Sequence, residues 1–506
     1  MLNWLGKLLR GTPPAAVDQS AALVHTALAQ QQAGRYDEAE RSFYRALALE
    51  PDSAQIHLQL GNLLRLAGRH EAALQCCLEA VRLAPDFAPG HNNLGNAYRD
   101  LGRQEEAIAE FRRALALDDR LAEAHFNLGT ALLAAGNTDQ TMECYRSALR
   151  LRPDFPLAHL NLGFLLEEAG DVSGAAAAYA SAVAADPHLV EAHVNLGMQL
   201  LLRGRFSDGW TEYEWRLRYP EYGAAAASAG FVRWNGAALD GKTILLDSEQ
   251  GFGDAIQFLR YAAPVADRGG RVVVRCAPEL ASLFGTAPCV SAVVVPGTTL
   301  PAFEAYCPLP SLPYVFGTTL GTIPARVPYL HADAAKAARW REKFAGDDAA
   351  CRVGLVWASQ SRHRTAGAKS IPLKAMAPLA GIPGIRYYSL QKGAAAREVD
   401  HAPAGMRISD LSGELADFSD TAAALANLDL VISVDTAVAH LAGAMARPTW
   451  TLLKFAPDWR WLLERGDCPW YPTMKLYRQH RPGDWTVPLA AIAQQLSAFP
   501  GTHRTA

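Results

Sequence analysis

Nowhere in its 506 residues does this chain carry the run of about 18 apolar residues that a membrane-spanning helix needs, so no transmembrane segment is expected. It has no marked excess of either charge. Its 48 Lys and Arg face 51 Asp and Glu, a net of −3, which removes the global electrostatic reason to expect nucleic acid. Its eight cysteines contain no C-x-x-C pair, which speaks for reduced thiols in a cytoplasmic protein and against disulfides or zinc. There is no D-x-D pair and no His, Asp and Glu cluster at metal-ligand spacing, so neither a metal nor a cofactor is expected. The opening MLNWLGKLLR lacks a long apolar core and a small-residue cleavage site. Residues 1–19 therefore read as a short amphipathic helix rather than a signal peptide.

What is present is a regular beat. Pro51, Pro85, Pro153 and Pro187 share one register, with Asp119 in the remaining slot, and leucine precedes glycine in step at Gly61, Gly95, Gly129, Gly163 and Gly197. Turn glycines keep the same period at Gly34, Gly68, Gly102, Gly136, Gly170 and Gly204. Such a period marks a solenoid of paired helices. In the third unit Leu94, Ala97 and Tyr98 line one helix and Ala107, Phe111 and Ala114 the next, and proline at the unit boundary suits the start of the following helix. The pattern resembles the tetratricopeptide repeat, with six units over residues 20–223. The sixth decays, with Gly209 and Arg216 where small alanines are expected, as a cap against another domain would.

One polar column runs through the units: Asn93, Asn127, Asn161 and Asn195, with Gln59 in the same slot. A ladder of amides can hold the backbone of a protein or peptide acceptor whatever its sequence, or can bond each repeat to its neighbour; both readings stay open. The histidines His57, His91, His125, His159 and His193 stand a whole repeat apart, too far for metal ligation, and read as packing residues.

Helical periodicity then fails over a linker at 224–241, with Trp234 expected to pack on the next domain. Beyond it come two strand–helix–strand series, at 242–330 and 331–506, hence two parallel sheets and an α/β class. The proline-rich stretch from Pro308 to Leu330 reads as the crossover between them. Ligands in such sheets sit beyond the carboxyl ends of the strands. At one such end lie Asp435, Thr436 and Ala437, with His440 one turn into a helix whose N–H groups favour an anion. Capping by Asp435 or Thr436 is the plainer alternative.

The stretch S-V-D-T-A-V-A-H-L-A-G-A is similar to the S-V-D-T-G-x-x-H-L signature of the ADP-heptose heptosyltransferases, with Ala437 in place of the glycine. Two further points carry that resemblance: Lys369 in K-S-I-P-L, and G-F-G-D at residues 251–254 after the opening strand. The resemblance implies a GT-B fold of two Rossmann-like halves and an inverting, metal-independent transfer from a nucleotide sugar to an acceptor hydroxyl. It makes Asp254 the general base, with Gly251 and Gly253 in the same motif, and Lys369 the clamp on the donor diphosphate. A carboxylate at a helix start suits a base, although it also suits an N-cap. Gln391 and Lys392 end another strand as candidate donor contacts, and Arg362, His363 and Arg364 form a basic loop. Trp459, Trp461, Trp470 and Tyr471 offer rings to stack on a base or sugar, or to lock the C-terminal segment, and Arg460 offers charge. Two other functions fit the same residues: transfer to a lipid- or polysaccharide-linked acceptor, with the repeats binding an assembly partner, and an inactive interaction scaffold.

Overall fold

The computed structural model describes residues 14–222, 231–346, 349–360 and 366–499. Most of the expected N-terminal helix, much of the linker and the loop with Arg362, His363 and Arg364 lie outside them. The chain divides into two compact units. One runs to Leu165 and takes in Ala177–Pro187; the other holds Leu166–Ala176 and continues from His188.

Twelve consecutive helices form the repeats. They run in pairs: α1 Pro14–Gln32 and α2 Tyr36–Leu49, α3 Ala54–Leu66 and α4 His70–Leu83, α5 Ala88–Asp100 and α6 Gln104–Leu117. Next come α7 Ala122–Ala134 and α8 Thr138–Leu151, α9 Pro156–Glu168 and α10 Val172–Ala185, α11 Val190–Leu202 and α12 Phe206–Tyr213. Within the first unit, the glycine of three Leu-Gly pairs seats the aromatic ring of the partner helix, while Gly61 faces Cys77. A Cβ on Gly95, Gly129 or Gly163 would stand 2.6–2.8 Å from Phe111, Tyr145 or Tyr179. The boundary prolines do not open the next helix. Pro51, Pro85 and Pro153 stand three residues before α3, α5 and α9. Their carbonyls instead pair with Nε2 of His57, His91 and His159 at 3.0, 2.9 and 2.8 Å, and Asp119 O does so with His125 at 2.9 Å. The recurring histidine is therefore a latch across each inter-repeat turn.

The second unit holds two all-parallel sheets. Strands β1 Thr243–Asp247, β2 Arg271–Arg275, β3 Val290–Val294 and β4 Ala305–Pro308 lie in the order β3-β2-β1-β4. Strands β5 Cys351–Val356, β6 Ile385–Ser389, β7 Ile408–Asp410, β8 Leu430–Val434, β9 Thr449–Leu453 and β10 Met474–Arg478 lie in the order β10-β9-β8-β5-β6-β7. In each sheet the chain order reverses beside the first strand, between β1 and β4 and between β5 and β8. These are the places where an open parallel sheet opens a crevice at its carboxyl edge.

Helices α11 and α12 and the 3-10 turn Glu214–Arg218 belong to this second unit. Trp210 on α12 is buried; its Nε1 donates to Thr318 O at 2.9 Å, and its ring meets Trp459 edge-on at 5.2 Å. Arg216, in the turn, is 1% exposed and donates to Glu249 Oε1 at 2.7 Å, Glu214 Oε1 at 2.6 Å and Ser311 Oγ at 2.7 Å. Arg216, one of the two residues that spoil the sixth repeat, thus joins Trp210 in packing it into the sheet unit. Trp234 is likewise buried, its backbone N–H donating to Tyr306 O at 2.8 Å and its Nε1 to Ala237 O at 2.9 Å.

Candidate functional site

Helix α13 (Phe252–Phe258) leaves the carboxyl end of β1, and helix α14 (Ala437–Ala444) leaves that of β8. They meet at their first turns. Gly253 has no side chain there because a Cβ would stand 3.0 Å from Cδ2 of His440 and 3.7 Å from Cα of Ala437. Gly251 is the N-cap of α13, so Asp254 falls at the third helical position and is not itself the cap. Thr436 caps α14 by position without a side-chain cap bond, its hydroxyl lying 3.0 Å from that of Ser433.

That close approach gathers five charges from four segments. Asp254 Oδ1 accepts from Arg460 Nη2, and Arg460 Nη1 also donates to Asp458 Oδ1 at 2.8 Å. Lys369 Nζ donates to Asp435 Oδ2 at 2.5 Å, and Lys369 and Asp435 both lie within electrostatic reach of Asp254. Burial raises Asp254 above the ordinary carboxylate value and outweighs the opposing pull of Arg460. Burial pushes Lys369 down, but Asp435 and Asp458 hold it above its ordinary value, so it stays a cation. Asp458 is held low against its burial by Arg460 and Lys369. The Asp254 side chain is 25% exposed, which leaves a carboxylate edge open to a reactant.

Gly251, Gly253, Asp254, Lys369, Asp435, Thr436, Ala437 and His440 are thus brought to one place, but not every expected site residue is free to meet a ligand. Gln391 is buried, and its amide is used up by the chain: Oε1 accepts from the N–H groups of Trp357 and Ala358, and Nε2 donates to Ala358 O and Lys392 O. Lys392 is tied to Ser412 O and Leu415 O. His440 is buried, pushed down by burial to about 3 and so neutral, with Nδ1 3.0 Å from the Tyr471 hydroxyl. It packs the two helices together and presents no charge to a ligand. Trp459, Trp461, Trp470 and Tyr471 are all buried and lock the C-terminal segment rather than offering a stacking face. Arg460, read as a source of charge for a diphosphate, is engaged by Asp254 and Asp458. Asp458 lies two positions from Arg460, its hydrogen-bonding partner, and no signature in the sequence marks the pair as part of the site.

In the repeat unit, Asn93 and Asn127 line a groove of about 420 Å³ together with Arg65, Arg99, Phe126 and Phe155. Part of the column is already engaged. Asn127 Nδ2 donates to Asn92 Oδ1 at 3.0 Å across the repeat boundary, Arg99 donates to Asn127 Oδ1 at 3.4 Å, and Asn161 Nδ2 donates to the Tyr145 hydroxyl at 3.3 Å. Asn161 and Asn195 do not line the groove.

Comparison with known families agrees with both halves. Tetratricopeptide-repeat profiles match residues 26–86, 76–109, 95–136 and 126–190, and glycosyltransferase family 9 (heptosyltransferase) matches residues 387–461. The chain joins tetratricopeptide repeats to a family 9 glycosyltransferase domain. The matched span of that glycosyltransferase domain includes Asp435 and Arg460, while Asp254 and Lys369 lie outside it. Protein FlbA of Caulobacter vibrioides is 27% identical over 322 residues, 59% of this chain and 54% of that protein, so the chain spans about half the length of this relative. Among solved structures, TTC0263, a thermophilic TPR protein of Thermus thermophilus, is 25% identical with a TM-score of 0.33, covering 36% of this chain and 99% of its own. Pseudomonas aeruginosa pilF is 20% identical with a TM-score of 0.38, covering 42% and 99%. No described helix is long and apolar enough to cross a membrane.

Proposed function

We propose that the glycosyltransferase domain is a GT-B enzyme moving a sugar from a nucleotide-sugar donor to an acceptor hydroxyl, and that the repeats recruit a protein acceptor or partner. The observation that carries this reading is the meeting of Asp254 with Lys369 and Asp435 where the first turns of α13 and α14 touch. Asp254 takes the proton of the acceptor hydroxyl as its oxygen forms a bond to the anomeric carbon. The bond from that carbon to the donor diphosphate breaks, and the nucleoside diphosphate leaves with the electron pair. Lys369 exchanges Asp435 for the leaving phosphate, and the N–H groups at the start of α14 add their partial charge. Attack from the face opposite the leaving group inverts the anomeric centre. With Lys369 neutralising the leaving group, the scheme runs without a metal.

The test is incubation of the intact chain with a panel of labelled nucleotide sugars and a cell extract. Label entering a protein or glycan fraction is the expected result, and which fraction is labelled decides between the two acceptor readings. No label in either fraction, with every donor recovered intact, would leave an interaction scaffold as the better account.

A further inference from the structure

Within the second unit, a continuous path of packed side chains leads from α12 to Asp254. Trp210 and Tyr213, three residues apart on α12, set their rings 5.2 and 6.4 Å from that of Trp459. Trp459 opens the 3-10 turn Trp459–Trp461, which Asp458 caps by accepting from the backbone N–H of Arg460 at 3.1 Å. The Arg460 guanidinium lies over the Trp459 ring, 4.2 Å from its centroid. Its Nε donates to Gln257 Oε1 at 2.6 Å and its Nη2 to Asp254 Oδ1. Gln257 and Asp254 stand three residues apart on α13, so the planar fork spans one turn along a single helix face. Tyr213 braces the other side of the same helix start, its hydroxyl donating to Gln250 Oε1 at 3.0 Å in the loop between β1 and α13. A repeat that only closes a solenoid needs contacts with its neighbouring repeat alone.

We infer that Arg460 is a positioning residue of the proposed transfer and that the sixth repeat is its support: Trp210 seats Trp459, and Arg460 aims Asp254 at the acceptor hydroxyl. The inference rests on Asp254 being the base of that reaction. Arg460 also sets the charge that Asp254 meets. The charged groups facing Asp254 are Arg460, Asp458, Lys369 and Asp435, with the phenols of Tyr213 and Tyr222 also within electrostatic reach. Burial raises Asp254, Arg460 is the largest influence opposing that rise, and Asp458 adds to it. Removing Arg460 therefore makes the carboxylate harder to ionise, and removing the charge of Asp458 makes it easier. A residue that served packing alone would give no such pair of opposed shifts.

The experiment measures the rate of label incorporation by the intact chain against pH, with the labelled nucleotide sugars of the panel and cell extract as probes. Arg460→Met is expected to lose about a hundredfold in rate with the KM for nucleotide sugar close to that of the parent. Its acid limb moves upward by about one pH unit, and that of Asp458→Asn moves downward. Arg460→Lys keeps the charge without the fork, so its limb stays near the parent's while its rate remains about tenfold down. Trp210→Leu loses about tenfold in rate at unchanged KM. Should Arg460→Met fail to fold, Arg460→Lys, Asp458→Asn and Trp210→Leu decide the matter. A limb that moves in neither Arg460→Met nor Asp458→Asn overturns the inference, as does a parental rate in both Arg460→Lys and Trp210→Leu. If Asp254→Asn abolishes transfer while these variants behave as the parent, the positioning role falls and the base stands. If Asp254→Asn transfers sugar like the parent, or the parent labels nothing, both fall.

Discussion

Replacing Asp254 by Asn lowers the rate of sugar transfer by about 10²–10⁴ while nucleotide-sugar binding stays close to that of the parent chain. The substitution keeps the side chain's shape and removes only its ability to take a proton. Asp254 stands in the first turn of α13, 25% exposed and with one carboxylate oxygen held by Arg460. Arg460 is fixed in turn by Asp458 and by Gln257 Oε1 at 2.6 Å, so the carboxylate is oriented before a substrate arrives. The pH profile supplies a second check. Burial places Asp254 above the ordinary carboxylate value, and a base works only when ionised. Activity therefore falls as pH drops through that raised pKa, with the acid limb above the ordinary carboxylate range. The Asn variant retains a low rate without that limb. A variant within tenfold of the parent, with the limb unchanged, removes Asp254 from the mechanism.

The second large effect is on stability. Arg216→Met leaves Glu249 buried without the cation that hydrogen-bonds it, and breaking a buried pair by removing one partner costs about 3–5 kcal/mol. Glu249 is already raised above its ordinary value by burial, with Arg216 the main influence holding it down. Denaturant unfolding of the intact chain is expected to show the loss in the transition of the sheet unit. Adding Glu249→Gln to Arg216→Met recovers part of it, because the orphaned charge is then gone, and the double-mutant cycle isolates the coupling. A cost below about 1 kcal/mol contradicts the buried-pair account, since that is the value of an exposed ion pair.

The parts of this molecule that repeat were legible in its sequence because each repeat touches only its neighbours. Gly95 and Phe111 belong to one unit, and the same pairing recurs at Gly129 with Tyr145 and at Gly163 with Tyr179. The strand–turn–helix at Asp435 was legible for a similar reason: the turn and the helix start are local. The basis of the candidate site was not. Arg460 reaches Asp254 across 206 positions, and neither residue's neighbourhood signals the other. Gln391 and His440 stand where the sequence puts them but are enclosed, because a polar residue at a strand end or helix start looks open to a ligand until packing covers it. The sixth repeat shows the same limit from the other side. Arg216 reads as a defect in the period, and only its contacts with Glu249 and Ser311 reveal it as a joint of the sheet unit.

The proposed reaction requires a nucleotide sugar to bind where α13 and α14 meet. Its most direct test is the melting temperature of the intact chain measured against a panel of nucleotide sugars. A ligand that binds only the folded chain stabilises it by about 2.7 kcal/mol at a hundred times its Kd. At least one nucleotide sugar is expected to raise the melting temperature by several degrees, and Lys369→Met to abolish most of that rise. A panel in which none shifts the parent chain, or a rise that Lys369→Met leaves intact, would contradict it.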